Sequence, residues 1–207
     1  MRTLLILLLL TLLNTVSVAK DVTEKVPAEI LTFTDKGTTI LDWKIADLNG
    51  DGLDDYLVVL EQDKKLAPDI QETLKRSLLI IIRQKDNSLK LEKRNNLAVA
   101  CSTCGGRVDD DGFEEIKANK RSFSVKNHTM GTAYQTSDTY SFGYSRRDNT
   151  WQLVSVVSTQ NRLYEDHEIK NTFTPPHSFG KIDFADFDPD DYTSRGEGYV
   201  LRKRQTK

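Results

Sequence analysis

The residues best suited to chemistry lie in one short acidic stretch, which places oxygen-bearing side chains at positions 1, 3, 5 and 9 and a glycine at position 6. In such a loop alternate side chains can turn their oxygens towards one centre, while the glycine permits the tight bend. We therefore predict a calcium site at 47–55. Its ligands are Asp47, Asn49, Asp51, the carbonyl of Leu53, and Asp55.

The donor set favours calcium, because hard oxygen ligands without nitrogen or sulfur disfavour zinc and copper. An EF-hand would also need a bidentate glutamate at position 12, where this chain has Val58. We therefore expect the loop to join two strands. The alternative is a polar hairpin turn that caps its own backbone without a metal. A second acidic string, at 186–191, repeats part of the spacing, and we expect Phe184 and Phe187 to hold it against the body with its acids solvated.

The chain has two cysteines, Cys101 and Cys104, in the sequence Cys-Ser-Thr-Cys-Gly-Gly. Disulfides persist in exported proteins, so we predict a local disulfide that clamps a loop. A thioredoxin-like role would need a helix after the first cysteine to lower its thiol pKa, and the glycine pair disfavours a helix there. Three histidines without paired spacing make a zinc site an unlikely alternative.

Catalytic motifs are missing from the sequence. It contains neither the Gly-x-Ser-x-Gly elbow of serine hydrolases nor a phosphate-binding Gly-x-x-x-x-Gly-Lys loop. The segment 166–171 comes nearest to a zincin helix but ends in asparagine instead of histidine. Carboxylate pairs are abundant, yet nothing selects one of them. We predict a protein that is not an enzyme and has no catalytic residues.

The N-terminus indicates export. Arg2 precedes an apolar run at 4–13, and Ser17-Val18-Ala19 supplies the small residues that signal peptidase recognises. We predict a signal peptide at 1–19 and a periplasmic or secreted protein. The apolar run is shorter than the roughly 20 residues of a membrane-spanning helix, so we expect no membrane span. The formal net charge of -2 leaves no basic excess for nucleic acid.

Strand-like segments with turn signals between them predict a mainly β protein, a single antiparallel domain built as a sheet or sandwich. We expect one short helix at 68–76, where proline suits the first position and Lys75-Arg76 the last turn. Tyr140, Phe142 and Tyr144 alternate and are predicted to share a core-facing side of a strand. The domain is assigned to 20–192, followed by a basic flexible tail at 193–207. The predicted strands are 39–46, 56–60, 77–83, 88–93, 123–126, 139–145 and 151–158.

The acidic loop resembles the calcium loops of FG-GAP and VCBS-type repeats, with one such unit at 40–61. The wider order of segments is similar to a family of small exported bacterial proteins of unassigned function. The segments that carry this resemblance are the loop entry at 44–49, the strand at 78–83, the cysteine segment 101–106, the aromatic strand at 140–144 and Trp151-Gln152-Leu153. The resemblance implies a single β-rich domain in the periplasm or outside the cell, and it implies no activity.

These observations together predict an exported, non-enzymatic binding or interaction module with a structural calcium loop. Its partner is an unidentified protein or a component of the cell envelope. Two other functions stay open. A small, acidic, exported domain would suit a periplasmic immunity protein that blocks a delivered toxin, and the acidic clusters would suit a cell-envelope hydrolase.

Overall fold

A computed structural model of the chain describes residues 25–63, 75–164, 168–193 and 202–203. The protein is mainly β, as predicted, and two antiparallel sheets make up its body. The signal peptide assigned to 1–19 lies outside the described residues. Within the described residues, no helix is long and apolar enough to cross a membrane.

The first sheet has four strands in sequential order, so each pairs with its neighbour in the chain. The apolar runs of its central strands have every position buried over 56–60 and over 78–82, because both faces of this sheet are covered. Its strands are β1 (Thr38–Ala46), β2 (Asp55–Gln62), β3 (Arg76–Arg83) and β4 (Leu89–Asn95).

The second sheet has five strands, again in sequential order. Its long central strands alternate buried and half-buried residues, as expected of a sheet with one face on the core. Its strands are β5 (Phe113–Asn119), β6 (Ser122–Met130), β7 (Tyr134–Ser145), β8 (Thr150–Arg162) and β9 (Glu168–Phe173). A two-residue pair, β10 (Tyr192–Thr193) with β11 (Arg202–Lys203), includes the described part of the predicted tail.

The two sheets pack on each other through one apolar cluster. Leu57, Leu78 and Ile80 come from the first sheet, and Phe142 and Leu153 from the second. The opposite face of the first sheet is covered by a 3₁₀ turn, Ala28–Phe33, whose Ile30 is fully buried. Sheet-on-sheet packing therefore leaves the four-stranded sheet between two apolar layers.

All seven predicted strands are confirmed, and the alternating Tyr140 and Phe142 face the core as expected. Two strands, β5 and β9, were not predicted. They form the edges of the five-stranded sheet, where charged residues are favoured and hide the strand pattern. The segment with a partial zincin motif contributes to β9 and so is not helical over its described part.

The predicted helix is wrong at its C-terminal end. Arg76 begins strand β3, and residues 68–74 lie outside the described residues. The described helical elements are all short 3₁₀ turns, at Ala28–Phe33, Phe184–Asp186 and Pro189–Asp191. Arg76, one of the two basic residues that suit a helix C-terminus in the sequence, is instead buried and forms ion pairs with Glu61 and Asp111.

Candidate functional site

The acidic loop, residues 47–55, joins β1 to β2 and folds onto its own backbone. Asp47 accepts hydrogen bonds from the backbone N–H groups of Gly50 at 2.7 Å and Gly52 at 3.1 Å. Asn49 accepts from the N–H of Asp51 at 2.9 Å. Asp51 accepts from the N–H of Leu53, also at 2.9 Å. The side chains at positions 1, 3 and 5 thus all turn into the loop and fix its path.

Asp55 anchors the end of this loop. Its carboxylate is fully buried and accepts from the N–H of Leu48 at 2.8 Å and of Arg83 at 2.9 Å. Burial raises the pKa of Asp55 to about 6, against the opposing effect of these backbone hydrogen bonds. Since one bond reaches the start of the loop and the other reaches β3, Asp55 fixes the loop to the sheet.

The acidic loop also contacts the other sheet. Lys120 places its Nζ 3.3 Å from an oxygen of Asp47, and the N–H of Arg121 donates to the Asp47 carbonyl at 2.8 Å. Trp151, which is buried, donates from Nε1 to the carbonyl of Leu48 at 2.9 Å. Partial burial would raise the pKa of Asp47, but its bonds to Lys120, Gly50 and Gly52 outweigh burial and hold that pKa below its ordinary value.

All five predicted calcium ligands lie in this loop, but their carboxylates do not surround a common centre. Within residues 25–63, 75–164 and 168–193, no three histidine, cysteine, aspartate or glutamate side chains are placed to hold a metal ion. Asp47, Asn49 and Asp51 supply oxygens on one short segment, whereas both oxygens of Asp55 already accept from the backbone. Calcium at this loop therefore stays a prediction.

The disulfide loop, residues 96–112, contains the predicted bond. Cys101 and Cys104 are joined, with their sulfur atoms 2.09 Å apart, so the predicted pairing is confirmed. The N–H of Cys104 donates to the Cys101 carbonyl at 3.1 Å, and the N–H of Gly112 donates to the same carbonyl at 3.2 Å. The bond thus closes a tight turn inside a longer loop.

Two asparagines hold the disulfide loop to the body of the protein. Asn127 accepts from the N–H of Ala100 at 3.1 Å and donates to the carbonyl of Ala98 at 2.9 Å. Asn95 accepts from two N–H groups of the loop and donates to the carbonyls of Phe184 and Phe187. Both amides are buried, so they satisfy backbone groups that would otherwise lack partners.

Arg76 ties the same loop to the four-stranded sheet. Its side chain is 1% exposed and forms ion pairs with Glu61 and Asp111, while its Nη1 donates to the carbonyl of Ala100 at 2.9 Å. Nothing local in the sequence indicates the pair with Asp111, because the two residues are 35 positions apart. The buried guanidinium of Arg76 therefore has its opposite charges within the fold.

A cavity of about 630 Å³, here called the disulfide cavity, opens between the disulfide loop and the inner face of the five-stranded sheet. Its floor is a polar row of three residues, Asn127, Asp138 and Ser158, which pair in register across β6, β7 and β8. Val99 and Val156 supply apolar wall. Tyr140, two residues after Asp138 on the same face, belongs to the core, so the cavity begins where the inner face changes from apolar to polar.

Electrostatics in this cavity centre on Asp138 and Tyr140. Burial raises the pKa of Asp138, and the Ser158 hydroxyl opposes that rise by donating to its carboxylate. Burial also raises the pKa of Tyr140 well above its ordinary value, and the carboxylates of Asp138 and Asp190 add to the effect. All three residues line the same cavity.

The second acidic string lies at the mouth of the disulfide cavity. Phe184 and Phe187 are fully buried, as predicted, and Phe187 packs on Tyr140 with ring centroids 5.0 Å apart. Asp188 and Asp190 line the cavity, and the N–H of Asp190 donates to Asp188 at 2.9 Å. Sequence reasoning missed the cavity because its lining comes from segments far apart in the chain.

Comparison with protein families, with curated proteins and with solved structures finds no match for this chain.

Proposed function

We propose that the protein is an exported, non-enzymatic binding module whose ligand site is the disulfide cavity. The observation that supports this proposal is the cavity, whose volume of about 630 Å³ lies within the range of roughly 300–1,000 Å³ typical of ligand sites. Apolar walls with a few inward polar groups are also typical of such sites. The disulfide on its border fits an oxidising compartment, in keeping with the predicted export.

Binding, rather than catalysis, is the better proposal because the two side chains beside the cavity that are most suited to catalysis, His128 and Arg76, have partners within the fold. His128 points its Nε2 at Asp110 at 3.3 Å, and Arg76 is paired with Glu61 and Asp111. The sequence also contains none of the nucleophile or phosphate motifs that would select a reaction.

We further propose that the acidic loop holds calcium as a structural ion. The proposed ligands are Asp47, Asn49, Asp51, the Leu53 carbonyl and Asp55, and calcium is the cation that carboxylate, amide and carbonyl oxygens favour. The resemblance of this loop to FG-GAP and VCBS-type loops supports the proposal. An ion there would neutralise Asp51, whose exposed carboxylate raises the pKa of Asp55 through charge repulsion.

The binding proposal is tested by blocking the cavity. Thr129 lines it and is exposed, so Thr129→Trp should obstruct the cavity without disturbing the core. Protein-observed NMR with a library of small fragments should show resonance shifts at Asp138 and Val156 in the unmodified protein and not in this variant. Lys117→Trp, on an exposed position of β5, is the matched control and should bind as the unmodified protein does. Fragments that perturb no cavity residue would contradict the proposal.

The calcium proposal is tested by thermal unfolding in calcium chloride and in chelator. Binding to the native state alone should stabilise it by about 2.7 kcal/mol at a calcium concentration 100 times the dissociation constant. Asp51→Ala should abolish the increase because it removes a proposed ligand. The variant should still fold, since Asp51 is exposed and its hydrogen bonds are local. Asp54→Ala, exposed and between ligand positions, should retain the increase. Equal melting of unmodified protein with and without calcium would leave the loop a polar turn.

A further inference from the structure

The floor of the disulfide cavity holds a carboxylate that lacks a cationic partner among the described residues. Asp138 is half-buried, and its only described polar contact is the hydroxyl of Ser158. Removing a carboxylate from water is costly unless an opposite charge or several donors replace the water. The fold leaves that compensation incomplete at Asp138 and directs the group into a cavity that a ligand can enter.

A second polar group, the hydroxyl of Tyr140, belongs to the same cavity lining. The side chain of Tyr140 is 6% exposed and lines the same cavity, and no described residue hydrogen-bonds its hydroxyl. Buried tyrosine hydroxyls usually find a partner. Since Asp138 and Tyr140 lie two residues apart on the same face of β7 and both line the cavity, one ligand can contact both groups.

The charges around the cavity favour a cation. Asp188 and Asp190 add two carboxylates at the mouth. Of the basic residues that line the cavity, Arg76 is neutralised by Glu61 and Asp111, and His128 faces Asp110. Lys75 lies at the exposed rim. The interior is therefore negative at its floor and mouth, which attracts a positive group and repels an anion.

The remaining walls specify what carries the charge. Val99 and Val156 are 4% and 2% exposed and face the space above the polar row. Apolar walls of this kind stabilise an alkyl chain by removing it from water. The combination of apolar walls and a carboxylate on the cavity floor suits an ammonium group on a flexible aliphatic chain.

We propose, building on the binding function proposed above, that the disulfide cavity binds a primary ammonium group on an aliphatic chain, with the ammonium at Asp138 and Tyr140. A free diamine and a lysine side chain of a partner protein share this chemistry. The cavity is thus an amine-recognition site.

Isothermal titration calorimetry on the mature protein tests this with three matched small molecules and one peptide. The probes are 1,5-diaminopentane, the neutral 1-pentanol, the anionic glutarate, and a capped lysine dipeptide. We expect both amines to bind and the alcohol and the acid to bind at least tenfold more weakly. Tighter binding of the dipeptide assigns the site to a protein partner, and tighter binding of the diamine assigns it to a free amine.

Variants then locate the site. Asp138→Asn retains a side chain that can contact Ser158 and should weaken amine binding at least tenfold. Tyr140→Phe should weaken it by a smaller factor. Asp54→Asn removes the same charge from the acidic loop, outside the cavity, and should leave binding unchanged. Circular dichroism checks that Asp138→Asn is folded as the unmodified protein is.

The outcomes separate this inference from the function on which it rests. Amine binding that Asp138→Asn leaves intact would overturn the inference. Fragment shifts in the cavity without amine binding would also overturn it, while the binding module would stand. If neither amines nor fragments perturb the cavity, both proposals fail.

Discussion

The acidic loop and the disulfide loop hold their shapes by different means. In the acidic loop, Asp47, Asn49 and Asp51 each accept N–H groups two to five residues further along the chain. The disulfide loop has local ties, the Cys101–Cys104 bond and several backbone hydrogen bonds, but the side chains that fix it to the body, such as Asn127 and Arg76, are distant in sequence. One loop is thus specified mainly by its own sequence and the other mainly by the surrounding fold.

This difference affects how each loop responds to change. A loop held by several exposed local bonds can lose one of them at modest cost, because water replaces the missing partner. A loop held by buried amides cannot, because the backbone groups left behind have no access to water. The disulfide loop should therefore show larger losses of stability for single substitutions.

The largest effect is expected at Asn95. Its removal in Asn95→Ala leaves the N–H groups of Leu97 and Ala98 and the carbonyls of two phenylalanines without their amide partner. At roughly 1 kcal/mol or more for each buried group, we expect a loss of about 4 kcal/mol in the free energy of unfolding, measured by urea titration. Asn96→Ala, at the exposed neighbouring position, should cost less than about 0.5 kcal/mol. Similar losses in both variants would remove the contrast between the loops.

Glycines sharpen the comparison at the level of the backbone. Gly106 in the disulfide loop has φ +92°, and a Cβ there would lie 2.3 Å from the carbonyl oxygen of Met130. Gly52 in the acidic loop has φ +93° and open space around it. Gly52→Ala should cost only the conformational strain of about 1–2 kcal/mol, whereas Gly106→Ala adds a backbone clash and should cost about 3 kcal/mol. Thermal unfolding measures the loss of stability in each variant, and equal losses would contradict the predicted clash between a Cβ at position 106 and the Met130 carbonyl.

The same contrast explains what the sequence could predict. Strand segments such as 78–82 and the turn after Asp47 are visible because their signals are local: an apolar run, alternation, and Asn-Gly-Asp-Gly spacing. The disulfide was predictable for the same reason, since its two cysteines are three positions apart.

Features that depend on distant partners could not be predicted. Arg76 suits a helix end by its neighbours, yet it forms ion pairs with Glu61 and Asp111 in the fold. Asp138 and Ser158 are ordinary polar residues until strand register places them side by side in a cavity. Asp55 reads as a ninth-position ligand, and only the structure shows that β3 supplies an N–H to it. Tertiary context, rather than residue type, assigns these roles.

Removing the disulfide should lower the free energy of unfolding by less than Asn95→Ala or Gly106→Ala does. The bond closes a very short loop, so its effect on the unfolded chain should lie below the roughly 3 kcal/mol expected for a 15-residue loop. In the double variant Cys101→Ser and Cys104→Ser, Asn127 and Asn95 still hold the loop. We expect a loss of about 2 kcal/mol with hydrogen exchange increased mainly at 100–108. Exchange increased throughout the protein would show that the covalent bond, not the amides, is the main tie.

The smallest effect on stability is expected at the exposed edge of the acidic loop, where Lys120 pairs with Asp47 at 3.3 Å. The lysine side chain is 67% exposed, and surface pairs of this kind contribute roughly 0–1 kcal/mol, so Lys120→Ala in chelator should change stability by less than about 1 kcal/mol.

The same substitution removes a cation that competes with calcium for Asp47. It should therefore tighten calcium binding by about two- to fivefold, the factor that corresponds to a surface pair of that strength. Lys117→Ala removes an equally charged residue that is paired with Glu115 and should leave calcium binding unchanged. Calorimetric titration measures both, and calcium binding that weakens in Lys120→Ala would show that Asp47 does not contact the ion.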